Sequence, residues 1–250
     1  MPNLHANWPA PSTICALTTT RIGGHSLPPY DKNNIGLHVG DDEQHVLANR
    51  RSLIESLALP GEPIWLNQTH SNHCVVVDKD SNRDVDAAVT QQKDTPLCIM
   101  TADCLPIVLC NRAGTEIAAI HAGWRGLVNG IVENTLAKMQ SGPETLMAWI
   151  GPAICQTCYE VGPDVEKAYT SRYPFTTPTF HNHDSCSYAN LPKMAELILN
   201  DQGVLAVYQS GACTFELNNQ FYSYRREPQT GRMATLIWFK YQSQDNQYER

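Results

Sequence analysis

Three short apolar runs between residues 97 and 126 constrain the fold more than any other part of this sequence. They cover residues 97–100, 105–110 and 116–120, and short apolar runs bounded by turn residues are typical of buried strands. Asp103 and Cys104 lie between the first two runs, and His121 and Arg125 follow the third. An acid, a thiol, an imidazole and a guanidinium at strand ends indicate a functional site. The alternative is a buried cysteine and a hydrogen-bonded histidine with structural roles.

A length of 250 residues permits one large domain or two small ones, and because strand and helix patterns mix throughout we expect a single globular domain over residues 1–250. The apolar fraction is 42% and the charged fraction 17%, which separates this chain from disordered sequences. A net charge of -7 without basic runs argues against nonspecific binding to nucleic acid. No apolar stretch approaches the ~20 residues of a membrane span, and the first residues lack a signal-peptide pattern. We therefore expect a cytoplasmic protein with no nucleic-acid or membrane partner.

The nine cysteines are an odd number, and several lie inside apolar runs. In such runs a reduced cysteine behaves as a small hydrophobic residue. We therefore expect free thiols in a reducing cytosol, with one cysteine serving a metal or catalysis.

Strand and helix patterns alternate along the remaining sequence, which predicts an α/β-type domain with a mixed sheet. Predicted helices cover residues 43–59, capped by Asp41 or Asp42, and residues 127–139, 163–169 and 191–200. Further predicted strands cover residues 13–19, 64–66, 74–77, 146–150, 204–208, 212–217, 220–224 and 233–239. Residues 84–95 are predicted to be a polar connection, and Asn218-Asn219 to form a tight hairpin turn.

His70, Cys104 and His121 each follow or end a predicted strand. Two imidazoles and a thiolate suit zinc, and three protein ligands leave the fourth coordination position open, as a catalytic metal requires. Because the three residues are far apart in sequence, their spacing alone does not establish the site. A metal-free hydrolase with Cys104 as nucleophile and His121 as base uses the same residue types.

The segment H-A-G-W-R-G, residues 121–126, adds an expected anion site. Gly123 and Gly126 permit a sharp turn before a predicted helix, whose first amides and positive dipole end favour anions. Arg125 can bind phosphate or carboxylate through two nitrogens, and Trp124 can stack on a planar ring. The alternative is a turn with a packed tryptophan and an exposed arginine. Asp103 is interpreted as a general base, as an acceptor that holds a ligand histidine in one tautomer, or as a turn cap.

Other candidate residues are isolated in sequence. Arg21 precedes Gly23-Gly24 and Arg225 precedes Arg226, and each is a further candidate for anion contact. Cys155 and Cys158 have C-x-x-C spacing, and residues 181–186 contain His181, His183 and Cys186. A second metal site there is the weaker interpretation, since these segments are predicted to be surface loops.

Several motifs together closely resemble the YfiH family, also called the laccase-domain or multicopper-polyphenol-oxidase-like family. The main ones are T-A-D-C-L-P-I (residues 101–107), H-A-G-W-R-G (121–126), I-G-P-A-I (150–154) and Y-E-V-G (159–162). Further matches are T-R-I-G-G (20–24), P-Y-D (29–31), Q-T-H (68–70), F-Y-S-Y-R-R (221–226) and T-G-R (230–232). The matches extend over residues 18–239, essentially the whole chain.

The resemblance implies a single-domain α-β-β-α sandwich with mixed β-sheets, like the cysteine-hydrolase-like folds. It implies a metal, usually zinc, on His70, Cys104 and His121. It also implies purine nucleoside phosphorylase activity on adenosine, inosine, guanosine and methylthioadenosine, together with deamination of adenosine. The alternative cofactor is copper in a polyphenol oxidase, because two histidines and a cysteine also form the blue-copper ligand set. A binding module stabilised by metal is the alternative without catalysis.

For this chemistry we expect a purine nucleoside and phosphate as partners of a monomer or weak homodimer. The candidates for catalysis are Asp103, Cys104 and Arg125, and those for substrate binding are Arg21, Tyr30, Asn34, Trp124 and Arg225. Two segments depart from the usual family pattern. Ser71 follows His70 where a glycine is usual, and residues 33–36 read N-N-I-G where L-N-L-G is common.

Overall fold

The computed structural model describes residues 2–240. In chain order its strands are β1 (Asn3–His5), β2 (Ile14–Thr19), β3 (Ile64–Trp65), β4 (Cys74–Val76), β5 (Ala87–Thr90), β6 (Leu97–Thr101), β7 (Leu105–Asn111), β8 (Ile117–Ala122), β9 (Leu146–Ile150), β10 (Glu160–Val161), β11 (Phe180–His183), β12 (Cys186–Ala189), β13 (Ala206–Gln209) and β14 (Met233–Phe239). Its α-helices are α1 (Glu43–Leu57), α2 (Trp124–Val128), α3 (Ile131–Leu136), α4 (Pro163–Arg172) and α5 (Leu191–Asp201).

Two mixed sheets contain most of the strands. The first has the order β1-β2-β14-β6-β3, in which only the β3–β6 pair is parallel. The second has the order β13-β9-β7-β8-β5-β4, with parallel pairs at both edges. A small third sheet, β10-β12-β11, is antiparallel.

These elements form four layers, and three apolar clusters fill the spaces between them. Leu53 of α1 packs with Leu17 and Leu236 of the first sheet. Ile99 of the first sheet packs with Val108 and Trp149 on one face of the second sheet, and the opposite face of that sheet packs on α2 to α5. The layers are therefore helix, sheet, sheet and helices, and the predicted α-β-β-α arrangement of mixed sheets is confirmed.

The central strands have apolar side chains on both faces, which explains their continuous apolar runs. In β7, Leu105, Ile107 and Leu109 face the helical layer, and Val108 and Cys110 face the first sheet. A strand covered on both sides has no solvent-facing position to alternate with, so its sequence does not alternate between apolar and polar residues.

Most predicted elements are present. Helix α1 begins after Asp42, whose carboxylate accepts the backbone N–H groups of Gln44 and His45. The single helix predicted over residues 127–139 is wrong, because the chain forms α2 and α3 with a break at Gly130. Gly130 has a φ of 92°, a left-handed conformation that no α-helix continues through.

The strand predictions for residues 212–217 and 220–224, with a hairpin at Asn218-Asn219, are also wrong. These residues form successive turns, and they belong to none of the three sheets. The side chains of Thr214 and Ser223 bond to the carboxylate of Asp103, so polar contacts hold this segment instead of a strand ladder. Residues 84–95, predicted as a connection, contain the buried strand β5.

The chain crosses between the two large sheets at one end of the sandwich. The connection from β3 to β4 leaves the first sheet for the second, and so does the connection from β6 to β7. Strand β8 ends at the same place, because His121 is paired with Pro106 at the start of β7. Within residues 2–240, the helices are too short or too polar to cross a bilayer.

Gly130 and Ala58 both have a left-handed backbone conformation, and we expect substitutions at these two positions to change the free energy of unfolding in opposite directions. We expect Gly130→Ala to lower the free energy of unfolding by about 1–2 kcal/mol, because a Cβ disfavours this conformation. Ala58, which follows α1 with a φ of 46°, already carries that cost. We therefore expect Ala58→Gly to raise the free energy of unfolding by about 0.5 kcal/mol. Urea denaturation of both variants measures these changes, and equal signs would contradict the conformational account.

Candidate metal and substrate site

Three side chains with metal-binding atoms meet where the chain crosses between the sheets. His70 lies in the β3–β4 connection, Cys104 precedes β7, and His121 lies near the end of β8. Cys104 Sγ is 3.7 Å from His70 Nε2, and the ligand atoms of the three residues all lie within 4.8 Å of one another. Ligands at zinc bond lengths in a tetrahedron are separated by roughly 3.6 Å. The three side chains therefore fit one metal ion with little movement.

Asp86 orients the most deeply buried member of this group. Its side chain is fully buried, and its Oδ1 atom lies 2.7 Å from Nδ1 of His121. The backbone N–H of His121 also donates to the carbonyl of Asp86. Because Asp86 occupies Nδ1, Nε2 of His121 is left to face Cys104, which is the arrangement of a carboxylate behind a metal-binding histidine.

The same carboxylate holds the loop that carries His70. Asp86 accepts the backbone N–H groups of Thr69, His70 and Ser71 at 3.1, 3.0 and 2.7 Å. The hydroxyl of Ser71 donates to it as well, at 2.7 Å. His70 has a φ of 61°, a strained conformation that these bonds stabilise. Ser71, at the position where the resemblance leads us to expect a glycine, thus adds a hydrogen bond to the carboxylate behind the site.

Hydrogen bonds and charges outweigh burial at each ionisable group. Burial alone raises the pKa of Asp86, but its bonds to His121 and Ser71 lower this pKa to about 2. Burial lowers the pKa of His121, whereas its bonds to Asp86 and Cys104 raise it to about 9. Burial also raises the pKa of Cys104, yet His121 and His70 bring it down to about 6. In the metal-free protein Cys104 is therefore a thiolate paired with a protonated His121 at pH 7, and a metal ion that binds the thiolate displaces the proton from Nε2 of His121.

The two glycines of the H-A-G-W-R-G segment allow the ligands to approach the backbone. A Cβ on Gly123 would lie 2.8 Å from Cδ2 of His70 and 3.3 Å from Sγ of Cys104. A Cβ on Gly126 would lie 2.8 Å from the carbonyl oxygen of Ser71. Helix α2, which begins here, has only five residues. The structure thus accounts for these glycines through close packing against the histidine loop.

An open cavity of about 490 Å³ lies over the three side chains. Its wall contains three aromatic rings and three guanidinium groups: Trp124, Tyr159, Tyr224, Arg125, Arg225 and Arg232. The lining also includes Asp103, Gln68 and His38. The predicted residues that surround this cavity are therefore His70, Cys104, His121, Asp103, Trp124, Arg125 and Arg225.

The three arginines differ in how their guanidinium groups are bound. Arg225 donates twice to the carbonyl of Glu160, and Arg232 donates to the carbonyls of residues 230 and 231. Arg125 is exposed and lies over the ring of Trp124, with its Cζ 4.4 Å from the ring centre. Within residues 2–240 its guanidinium has no hydrogen-bond partner. Arg125 is thus the arginine with the most free donors at the cavity.

Asp103 has its carboxylate turned away from both histidines and into a separate network. Its Oδ1 accepts the hydroxyl of Thr214 at 2.6 Å, and its Oδ2 accepts the hydroxyl of Ser223 at 3.0 Å and the N–H of Arg225 at 2.7 Å. The interpretation of Asp103 as the acceptor for a ligand histidine is wrong, because Asp86 has that position. Asp103 joins the β6–β7 connection to two later segments that form the cavity wall.

Arg21, Tyr30 and Asn34 lie outside the cavity, and the structure does not bring them together with the metal-binding group. Arg21 packs on the ring of Tyr222 and donates to the carbonyl of Asp31. The hydroxyl of Tyr30 donates to the carbonyl of residue 39. Asn34 is fully buried, and its amide bonds to Gly36, Asp41 and the N–H of Arg232. These polar groups are used within the fold, next to the arginine that lines the cavity.

Four residues of this region were not predicted from the sequence: Asp86, Tyr159, Tyr224 and Arg232. A lone carboxylate inside the apolar stretch V-D-A-A-V is a signal that could have identified Asp86, because a buried charge requires donors. The other three lie in the motifs Y-E-V-G, F-Y-S-Y-R-R and T-G-R, next to residues that were considered.

Of the residues that the sequence suggested for a second metal site, Cys155 and Cys158 join a group of metal-binding side chains, whereas His181, His183 and Cys186 do not join one within residues 2–240. His181 and His183 lie on β11 and Cys186 on β12. Cys155 and Cys158 are grouped with Cys213 and Glu216. All nine cysteines are free thiols, as expected.

The fold and the site define a class: α-β-β-α sandwich proteins with a two-histidine, one-cysteine group beside a cavity lined by arginines and aromatic rings. A family model described as multi-copper polyphenol oxidoreductase laccase matches residues 15–240. The chain is 41% identical to a Shigella flexneri protein named purine nucleoside phosphorylase YfiH, over 92% of this chain and 96% of the relative. A Haemophilus influenzae protein named purine nucleoside phosphorylase is 41% identical over 96% of this chain and 100% of the relative.

Solved structures show the same similarity. A crystal structure of a Neisseria meningitidis protein of the DUF152 family has a TM-score of 0.92 at 41% identity, covering 96% of this chain and 100% of that one. YlmD from Geobacillus stearothermophilus has a TM-score of 0.86 at 29% identity, covering 96% and 100%. The chain therefore belongs to the YfiH laccase-like family, and the family expected from the motifs is confirmed.

Replacing Asp86 should weaken metal binding. An asparagine cannot accept all the donors that face this carboxylate, so we expect Asp86→Asn to lower zinc affinity about 10- to 100-fold. Competition against a chromogenic chelator measures the affinity. Asp84→Asn is the matched control, because Asp84 is exposed and bonds to the side chain of Asn67. Wild-type zinc affinity in a folded Asp86→Asn protein would contradict the role assigned to Asp86.

The pKa of Cys104 gives a prediction for metal-depleted protein. The thiolate is the nucleophile, so we expect the rate of Cys104 alkylation to rise with pH around a midpoint near 6, because the pKa is lowered to about 6. Peptide mass spectrometry distinguishes Cys104 from Cys74, whose pKa burial raises to about 11. Equal midpoints for the two cysteines would be the contrary result. Added zinc should protect Cys104.

Proposed function

We propose that this protein is a zinc-dependent purine nucleoside phosphorylase, with the metal on His70, Cys104 and His121. One observation carries the proposal: the metal-binding group, a free guanidinium and several aromatic rings surround the same cavity. The relatives named purine nucleoside phosphorylase support the choice of reaction. Its proposed substrates are a purine nucleoside and phosphate.

Phosphorolysis exchanges one bond at the sugar for another. An oxygen of phosphate forms a bond to C1′ of the ribose, while the bond from C1′ to the purine nitrogen breaks and its electron pair leaves with the base. The phosphate must be held against C1′, because orientation of two reactants supplies a large part of such rate enhancements. Arg125 is our candidate for this binding, with Arg225 and Arg232 adding positive charge around the cavity.

The aromatic side chains suit the planar base. Trp124, Tyr159 and Tyr224 offer ring faces and edges at the cavity, and ring stacking favours a purine over an aliphatic ligand. Burial raises the pKa of Tyr159, so its hydroxyl remains a neutral donor at physiological pH. Asp103 positions this wall by bonding to the segments that carry Tyr224 and Arg225.

The donor set fits zinc because the ligand atoms of its three side chains lie close together and Asp86 holds Nδ1 of His121. A zinc ion bound there would supply Lewis-acid polarisation of a substrate atom. The protein's own contribution is to keep Cys104 as a thiolate and to hold His121 in one tautomer through Asp86. Deamination of adenosine at this site is the side activity that we propose with it.

Oxidation of phenols by copper is the competing function, suggested by the description of the family model. A multicopper enzyme requires several histidine-rich ligand groups. Within residues 2–240, one group of metal-binding side chains contains histidine, and His181 and His183 are exposed on β11 outside it. This observation favours the phosphorylase.

Assays with inosine test the proposed reaction. We expect hypoxanthine and ribose 1-phosphate to appear only when both zinc-loaded protein and phosphate are present, and adenosine to give adenine under the same conditions. Product analysis by chromatography checks both substrates, and inosine formed from adenosine without phosphate measures the deaminase activity. Base release that is independent of phosphate would contradict phosphorolysis, and oxidation of phenols without nucleoside turnover would favour the copper enzyme.

Arg125→Ala tests the phosphate site. The loss of charged hydrogen bonds worth roughly 1.5–3 kcal/mol should lower kcat/KM for phosphate about 10- to 100-fold. Arg51→Ala is the matched control, since Arg51 is an exposed arginine on α1. Unchanged phosphate kinetics in Arg125→Ala would remove Arg125 from the proposal without affecting the metal site.

A further inference from the structure

Four side chains with metal-binding atoms form a second group behind the wall of the cavity. Cys155 and Cys158 belong to the connection between β9 and β10, and Cys213 and Glu216 belong to the turns before β14. Their ligand atoms all lie within 4.8 Å of one another. The two pairs are far apart in sequence, since Cys155, whose backbone N–H donates to Sγ of Cys213, precedes it by 58 residues. The fold alone therefore brings the two pairs together.

The two pairs have the same spacing and a similar local geometry. Cys155-x-x-Cys158 and Cys213-x-x-Glu216 each place two ligand atoms on one tight turn. The backbone N–H of Cys158 donates to the carbonyl of Cys155 at 3.2 Å and closes the first turn. Sγ of Cys213 accepts the backbone N–H of Cys155 at 3.3 Å, which ties the two turns together. Backbone N–H groups directed at sulfur stabilise thiolates, the form in which cysteine binds metals.

The contacts among the four side chains leave a common centre. Sγ of Cys158 lies 3.8 Å from Oε1 of Glu216. Tetrahedral zinc ligands at normal bond lengths are separated by roughly 3.5–3.8 Å. The group therefore needs only small side-chain movements to bind one ion.

A disulfide explains this arrangement less well. It would join two of the three thiols and would leave the third thiol and the carboxylate without a function. All three cysteines are free thiols in the structure.

We propose that Cys155, Cys158, Cys213 and Glu216 bind a second divalent metal ion, preferentially zinc. Thiolates select zinc over calcium and magnesium, and four protein ligands close the coordination sphere, so the ion is structural. The site is independent of His70, Cys104 and His121.

The position of this second site links it to the cavity. Ile154 and Tyr159, which line the cavity, flank the Cys155–Cys158 turn. Thr214, next to Cys213, donates to Asp103 at 2.6 Å. A metal ion that joins the two turns therefore stabilises one wall of the cavity. Arg226 donates to the carbonyls of Thr214 and Phe215, which places a positive charge near the ligands.

Metal stoichiometry of the full-length protein tests the proposal. Proteins are loaded with zinc, freed of loose metal by gel filtration and analysed by mass spectrometry of the metal. We expect Cys158→Ser to hold one zinc ion per chain fewer than the wild type, and Glu216→Cys to hold as many as the wild type. Cys186→Ser is the matched control, because Cys186 is a partly buried thiol outside both groups, and it should lose no zinc.

The Cys104→Ala protein provides a measurement that does not depend on changing the second group. We expect it to retain one tightly bound zinc ion, which protects three thiols from alkylation until a chelator is added. Circular dichroism confirms that each variant is folded. Equal zinc content in wild type and Cys158→Ser, or no retained zinc in Cys104→Ala, would overturn the proposal. A disulfide between any two of the three cysteines in protein purified without oxygen would also overturn it.

Discussion

The buried carboxylate of Asp86 is the interaction on which the site depends. It is not exposed to solvent. It accepts hydrogen bonds from Nδ1–H of His121 and from three backbone N–H groups and one hydroxyl of the loop that carries His70. A buried charge is tolerated only when donors replace its water, and here those donors come from the two segments that carry the histidines. One carboxylate therefore fixes the tautomer of His121 and the position of His70 together.

The layered fold explains why these segments meet. Two connections cross between the sheets at the same end of the sandwich, and the first brings His70 while the second brings Asp103 and Cys104. The end of β8 brings His121 beside them. Asp103, with a φ of 90°, then bonds to Thr214, Ser223 and Arg225 and draws the later turns against the cavity. Two different buried carboxylates thus position the two parts of the site: Asp86 holds the histidines, and Asp103 holds the cavity wall that carries Tyr224 and Arg225.

The sequence predicted the central strands β6 to β9 and the family, because apolar runs covered on both faces and the motif around Cys104 are local signals. It placed His70, Cys104 and His121 as candidates, and the structure brings them together. It failed for Asp86 and for the Cys155–Cys213 grouping, since each depends on contacts between segments distant in the chain. It also mistook the turns around Thr214 and Ser223 for strands, because residues that support a carboxylate have no periodic pattern. Arg21, Tyr30 and Asn34 stand in family motifs, yet their polar groups hold backbone in place outside the cavity.

The most direct measurement is anomalous diffraction at the zinc absorption edge from crystals of zinc-loaded protein. The account predicts a peak about 2.0–2.3 Å from His70 Nε2, Cys104 Sγ and His121 Nε2. It also predicts that Nδ1 of His121 remains bonded to Asp86 in the presence of the metal. A fully loaded crystal without a peak at these three atoms, or with His121 turned away from Asp86, would contradict the central claim.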